Sequence, residues 1–335
     1  MGRHRNSLLM ACGGALLVVL FVADLLTGST SIAAGDIWKA LFGKAPDALT
    51  GSIVTGIRLP KALTALFSGI AVSVSGLLMQ TMFRNPLAGP YVLGVSSGAS
   101  LGAAAFVLGF GPVSLTGGSV VNSLGIAGAA WLGSAAVLVL IAFASRKIKD
   151  IMVILILGMM LGSGIDALVQ IMQYLSDETS LKSYVIWTMG SLGNVTGMQT
   201  GLLAAAVAAG LGIAAACIKP LNLLMLGEQY ASTSGLDIRR TRNLIFLATV
   251  LLSGTVTAFC GPLGFLGLAV PHLTRFIVRD ADHRVLLPGT ALCGGSLMLV
   301  CDMIAKTSAL PVNAITSLMG IPVIIYVVTK NRRLV

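Results

Sequence analysis

The chain has 335 residues, of which 56% are hydrophobic and only 10% charged, with a mean hydropathy of +0.94. A soluble domain carries about 25% charged residues, and no core could hide this much apolar side chain from water, so the composition excludes a water-soluble protein and makes lipid the solvent. The net charge of +10 with 6% aromatic residues matches basic loops on the cytoplasmic side of a membrane rather than a nucleic-acid surface, because no basic stripe lies on a soluble element.

A helix needs about 20 residues to cross the hydrocarbon core. Apolar runs predict an all-α polytopic membrane protein with about ten such helices, at 7–26, 57–82, 89–110, 121–144, 151–174, 199–217, 242–260, 262–278, 286–305 and 313–329. The chain reads as one transmembrane domain over 1–335. Leu9-Met10-Ala11-Cys12 resembles a lipoprotein cleavage box. The apolar run before it is about five residues, shorter than the roughly 7–15 of a signal peptide, so the first span reads as uncleaved. The eighth span opens on Gly261-Pro262 and carries Pro271, which predicts a short or broken helix.

Sixteen of the 22 Lys and Arg residues fall in alternate loops and at both termini, and only Lys39, Lys44, Arg58, Lys61, Lys182 and Lys306 fall on the other side. This asymmetry places both termini in the cytoplasm. Three segments outside the lipid are long: 27–56, 175–198 with a short helix at about 180–190, and a cytoplasmic loop at about 218–241. Gly94, Gly98 and Gly102, and again Gly158 and Gly162, recur every four residues. Such small faces let helix backbones approach closely in lipid.

No residue pattern supplies catalysis. A phosphate loop and a His-Glu-x-x-His motif are both lacking, and the histidines His4, His272 and His283 are scattered. The five cysteines sit in apolar runs without a Cys-x-x-Cys pair and read as core residues, so neither a metal nor a cofactor is expected. The chain therefore draws energy from a partner or from an ion gradient. The spans hold only Asp24, Asp166 and Asp302 as acids, few for a proton relay.

Four further groups of residues stand out. Arg58 and Lys61 are two cations at the outer start of the second span. Arg84-Asn85-Pro86-Leu87-Ala88-Gly89-Pro90 forces a rigid turn at the inner surface. Asp166, Gln170 and Gln173 share one face of the fifth span, which suits a water-filled pathway or a neighbouring helix. Leu221, Leu223, Leu224, Met225 and Leu226, followed by Gly227-Glu228, Ala231 and Gly235, make an apolar stretch in a basic loop. Such a stretch calls for a partner protein to cover it, with Glu228 paired to that partner or to Arg239 or Arg240.

With Ser75-Gly76, Gln80, Leu93 to Ala99, Trp187 to Leu192, Gly261 to Leu268, Val270-Pro271-His272, Arg275, Asp282-His283-Arg284, Leu287-Pro288 and Gly320-Ile321-Pro322, these residues resemble the permease subunits of type II ABC importers for ferric siderophores, haem and cobalamin. The resemblance implies a second permease subunit (a homodimer), two cytoplasmic ATP-binding subunits and a periplasmic substrate-binding protein, in the bacterial inner membrane. It implies that 221–237 couples to the ATPase. It further implies that Arg58, Lys61 and Lys306 dock the binding protein, and that Asn85, Pro86 and Leu87 form a cytoplasmic gate. Lys stands at 61 and 306 where the family has Arg, Asn313 where Gly is common, Ala309-Leu310 at an acidic-Leu position, and Gly89 at an often acidic one. The alternative is a gradient-driven carrier acting without an ATPase.

Overall fold

A computed structural model describes residues 2–109, 119–146, 148 and 150–330, and among these every regular element is helical. Among the described residues seven helices are long and apolar enough to cross a membrane, and three shorter apolar ones, Val95–Gly109, Leu266–Val278 and Val312–Tyr326, accompany them. α1 (Gly2–Leu26) runs from what is here termed the proximal face to the distal face. The 27–56 segment then folds as α2 (Ala34–Leu41) and α3 (Ala48–Ile53), the latter started by Asp47, whose side chain accepts the Thr50 N–H. A single π turn at Val54–Arg58 joins α3 to α4 (Leu59–Met82), which returns to the proximal face.

α4 is the spine of the molecule. Its side chains are buried almost throughout, from Ala62 to Met82, because the sequence alternates small and apolar residues around the whole helix. α15 (His283–Ser308) and α14 (Leu266–Val278) pack along it. A Cβ on Gly76 would collide with the Gly267 carbonyl, and one on Gly69 with that of Gly294. Only glycine allows these crossings, where close packing rather than the hydrophobic effect joins helices. The four-residue repeat works in the same way: Gly98 of α5 (Val95–Ala104) meets Gly133 of α6 (Ser119–Ala144), while Gly94 lies against Gly158 and Gly162 of α7 (Ile151–Leu175).

Most expected spans start within a few residues of the observed helices, and three of the shifts have a local cause. The third begins at Val95 because 84–94 is irregular, with Arg84 at φ 47° and Gly94 at φ 71°. The seventh begins earlier, as α12 (Ile238–Thr249) capped by Asp237, and passes through a π turn at Val250–Gly254 into α13 (Thr255–Cys260). The eighth is the short α14, preceded by extended chain in which Phe265 takes φ 66°. Backbone donors freed there find side-chain partners: Gly264 N–H donates to Asn313 Oδ1 at 2.9 Å and Leu263 N–H to the Tyr91 hydroxyl at 3.4 Å. Satisfying such groups inside the protein is what permits a broken helix at membrane depth. It also gives the unusual Asn313, on α16 (Val312–Lys330), a physical task. α8 (Glu178–Thr188) and α9 (Gly197–Ala216) complete the long elements, the latter begun by a Thr196–Gln199 capping box.

Candidate functional site

The proximal face carries two short helices, α10 (Ile218–Met225) and α11 (Glu228–Thr233), hinged at Gly227 with φ 111°. A positive φ of this size suits glycine alone. The apolar stretch is divided between two surfaces. Leu221 and Leu224 are buried against α4 and α15, and Ala231 is buried as well, so they hold the hairpin to the bundle and offer nothing to a partner. Their i, i+3 spacing turns them to one side of α10. Leu226 and Tyr230 point away, with Leu226 63% exposed, and Met225 is exposed at the border of the cavity described below. Leu223 is half-buried and Gly235, at φ 85°, exposed. Glu228 pairs with Arg242 at 3.1 Å, not with Arg239 or Arg240. Arg242 is on the buried side of α12, whereas the two arginines before it face outward.

Asn222 makes the hairpin's polar attachment. Its Nδ2 donates to Asp282 Oδ1 at 2.7 Å, and its Oδ1 accepts from His283 N–H at 3.0 Å and from His283 Nδ1 at 2.7 Å. His283 Nε2 lies 2.8 Å from the Thr81 hydroxyl of α4. Asp282 sits outside the helices, and its carboxyl is held below the usual range first by the Arg284 N–H and then by the Asn222 amide. Sequence reasoning passed over Asn222, although it was the one polar residue within the apolar run.

Beside this attachment the turn 84–90 is tied down. Asn85 Oδ1 accepts from Leu87 N–H at 2.9 Å, and the Pro86 carbonyl lies 2.8 Å from His272 Nε2 on α14. Gln80 links α4 to α14 by donating to the Leu268 carbonyl at 3.1 Å and accepting from Arg275 at 2.6 Å. Gln80, Thr81, Arg84, Asn85, Pro86, Met225 and Arg275 line a cavity of about 220 Å³, so the expected gate residues and the helix hairpin share one space. Leu87 is exposed and does not line it.

On the distal face Arg58, Lys61 and Lys306 line a second cavity of about 260 Å³. They are not the free surface cations that the sequence suggested. Arg58 is buried, with its guanidinium donating to the carbonyls of Leu25, Leu26 and Thr30, and so it secures the end of α1. Lys306 is 2.7 Å from Asp24 and 2.8 Å from Asp302, and Lys61 is 3.4 Å from Asp302. Two of the three acids within the expected spans, Asp24 and Asp302, are thus the counter-ions of the two lysines. Their α1–α4–α15 juxtaposition could not be read from residues 24, 61, 302 and 306 in sequence.

The third group lies apart. Asp166 and Gln170 are exposed and Gln173 half-buried on α7, a helix that packs weakly against the rest of the chain. Among the described residues no cluster of His, Cys, Asp or Glu suited to a metal ion is found.

Spanning helices around a buried spine, with a hinged helix pair on one face, give the architecture of a membrane permease. The model of the FecCD transport family matches residues 16–330, and the chain belongs to that family. It is 36% identical to the vitamin B12 import system permease protein BtuC of Citrobacter koseri, over 99% of this chain and 97% of that protein. It is 37% identical to the protein of the same name from Salmonella typhi, over 99% and 98%. A solved structure of an inward-facing metal-chelate type ABC transporter superposes with a TM-score of 0.82 at 30% identity, covering 96% of this chain and 98% of that one. The chain is accordingly a permease of a type II ABC importer, a multi-span membrane protein whose relatives are transport subunits.

Proposed function

We propose that this chain is the pathway-forming subunit of an ATP-driven importer that carries a large metal chelate of the cobalamin type inward by alternating access, with hydrolysis supplied by a separate subunit. Similarity to the vitamin B12 permeases along nearly the whole length favours cobalamin over a ferric siderophore or haem. The proximal face is then cytoplasmic and holds both termini, and the distal face meets a periplasmic binding protein. Two copies of the chain, with the exposed Asp166 and Gln170 of α7 turned toward the shared pathway, and two ATP-binding subunits complete the assembly.

The observation that carries the reading is the α10–α11 hairpin, which is anchored by Leu221 and Leu224 yet leaves Met225, Leu226 and Tyr230 uncovered. An apolar knob on a polar face is a docking surface, and a groove in an ATP-binding subunit is the occupant the family implies. Replacing Met225 and Leu226 with Asp leaves the anchor intact. The double variant is expected to reach the membrane in wild-type amount but to lose copurification of the ATP-binding subunit and uptake together. Normal assembly by this variant would refute the assignment.

A further inference from the structure

The proximal and distal clusters sit at opposite ends of one helix. α15 begins with Asp282 as its N-cap and His283 as its first residue, both gripped by Asn222, and it ends with Asp302 and Lys306 in the ionic cluster with Asp24 and Lys61. Between these ends it lies on α4 with glycine-to-backbone contacts, and His283 touches Thr81 of the same spine. A helix is stiff along its axis; Pro288 removes one backbone hydrogen bond of α15 near its proximal end, and from there the contacts with α4 leave little room for slip.

The Asn222 amide is oriented without ambiguity. Asp282 as a carboxylate only accepts, so the NH₂ group faces it, and the amide oxygen faces the backbone N–H and the Nδ1–H of His283. One side chain therefore binds α10 to the first turn of α15 by three hydrogen bonds, with acceptor and donor both used. Leu221 and Leu224 give adhesion on either side of it, but apolar contact fixes neither register nor direction.

From this geometry we infer that Asn222 is a positioning residue for energy coupling: through Asp282 and His283 it transmits movement of the α10–α11 hairpin into α15, which carries it across the membrane to the Asp302–Lys306 end. Thr81 completes the grip by holding the far side of the His283 ring. The inference rests on the coupling role proposed above for the hairpin, and it adds a residue whose hydrogen bonds run inward to α15.

The test uses the whole complex of permease, ATP-binding subunit and binding protein in proteoliposomes, with ATP hydrolysis and cobalamin delivery measured on the same vesicles. Asn222→Ala removes the three hydrogen bonds, and Thr81→Val removes the one to His283, together with the hydroxyl's 2.9 Å contact to the Leu77 carbonyl within α4, at nearly unchanged shape. Both are expected to retain the ATP-binding subunit but to raise the ATP consumed per cobalamin delivered by about tenfold, a typical allosteric coupling. Both should also lose the stimulation of hydrolysis by loaded binding protein. If the side chains only stabilise the fold, hydrolysis and delivery fall in parallel at a constant ratio, and that result overturns the inference. Thr81→Val decides alone if Asn222→Ala does not accumulate. A wild-type complex that neither retains the ATP-binding subunit nor delivers substrate on ATP would sink the proposed function itself. A coupled wild type with equally coupled variants sinks only the role of Asn222.

Discussion

Removing the Lys306 ammonium is the sharpest perturbation of the distal cluster. The side chain is 7% exposed, and its two acidic partners are 0% and 1% exposed at 2.7 and 2.8 Å. Lys306→Met keeps the volume and the methylene packing but leaves Asp24 and Asp302 facing each other, with only Lys61, at 3.4 Å from Asp302, as a cation. Each carboxyl must then stay charged in apolar surroundings or take up a proton. Breaking a buried pair in this way costs about 3–5 kcal/mol. Lys306→Arg keeps the charge and should cost less than half of that. In Lys306→Met/Asp24→Asn only one carboxylate remains, beside Lys61, so the second change should recover a large part of the loss. The assay is reversible unfolding of the purified permease in mixed micelles with increasing SDS. A loss below about 1 kcal/mol for Lys306→Met, the range of an exposed surface pair, would refute the reasoning and return Lys306 to the role of a free docking cation.

Other consequences are equally direct. Arg58→Met should cost about 1–3 kcal/mol in the same assay, because the carbonyls of Leu25, Leu26 and Thr30 lose their donor. Arg58→Lys should recover only part, since one ammonium lacks the planar fork. Gly76→Val should abolish accumulation of folded protein, judged by gel filtration in detergent, since its side chain would occupy the Gly267 carbonyl position. Asp282 has its folded pKa depressed by Arg284 N–H and by Asn222, with Asp280, His283 and Arg284 as its charged neighbours. Its stabilisation is present above the unfolded value of about 3.9 and is lost as pH falls through the lower folded value, so Asp282→Asn should flatten stability against pH below about 4. Cysteine at Gln170 or Gln173 should react with a water-soluble thiol reagent in at least one nucleotide state if α7 borders the pathway, and protection in every state would leave it a packing face.

The membrane class and most spans were legible because their signal is local: a run of apolar residues reports its own solvent. The broken eighth span was legible for the same reason, from Gly261-Pro262 and Pro271. The starts at Val95 and Ile238 were not. A positive-φ turn at Gly94 and a cap at Asp237 decide them, and apolar runs do not register caps. In the hairpin, composition marked the apolar segment but could not divide its leucines, because Leu221 and Leu224 are turned inward by the spine they meet. At the distal face Asp302, one helical turn before Lys306, was a local signal, whereas Asp24 from α1 and the approach of Lys61 to Asp302 are long-range and left no mark in the spacing. Asn222 carried almost no local signal, and its partners lie about sixty residues on.

The central claim is that ATP, spent by a partner docked on the hairpin, drives this permease. Uptake of cobalamin into proteoliposomes containing the complete complex, with the binding protein outside and ATP inside, tests it most directly. Accumulation is expected to require ATP, to persist when ion gradients are collapsed with ionophores, and to disappear with Met225→Asp/Leu226→Asp. Uptake by the permease alone on an imposed ion gradient, indifferent to ATP, would contradict it.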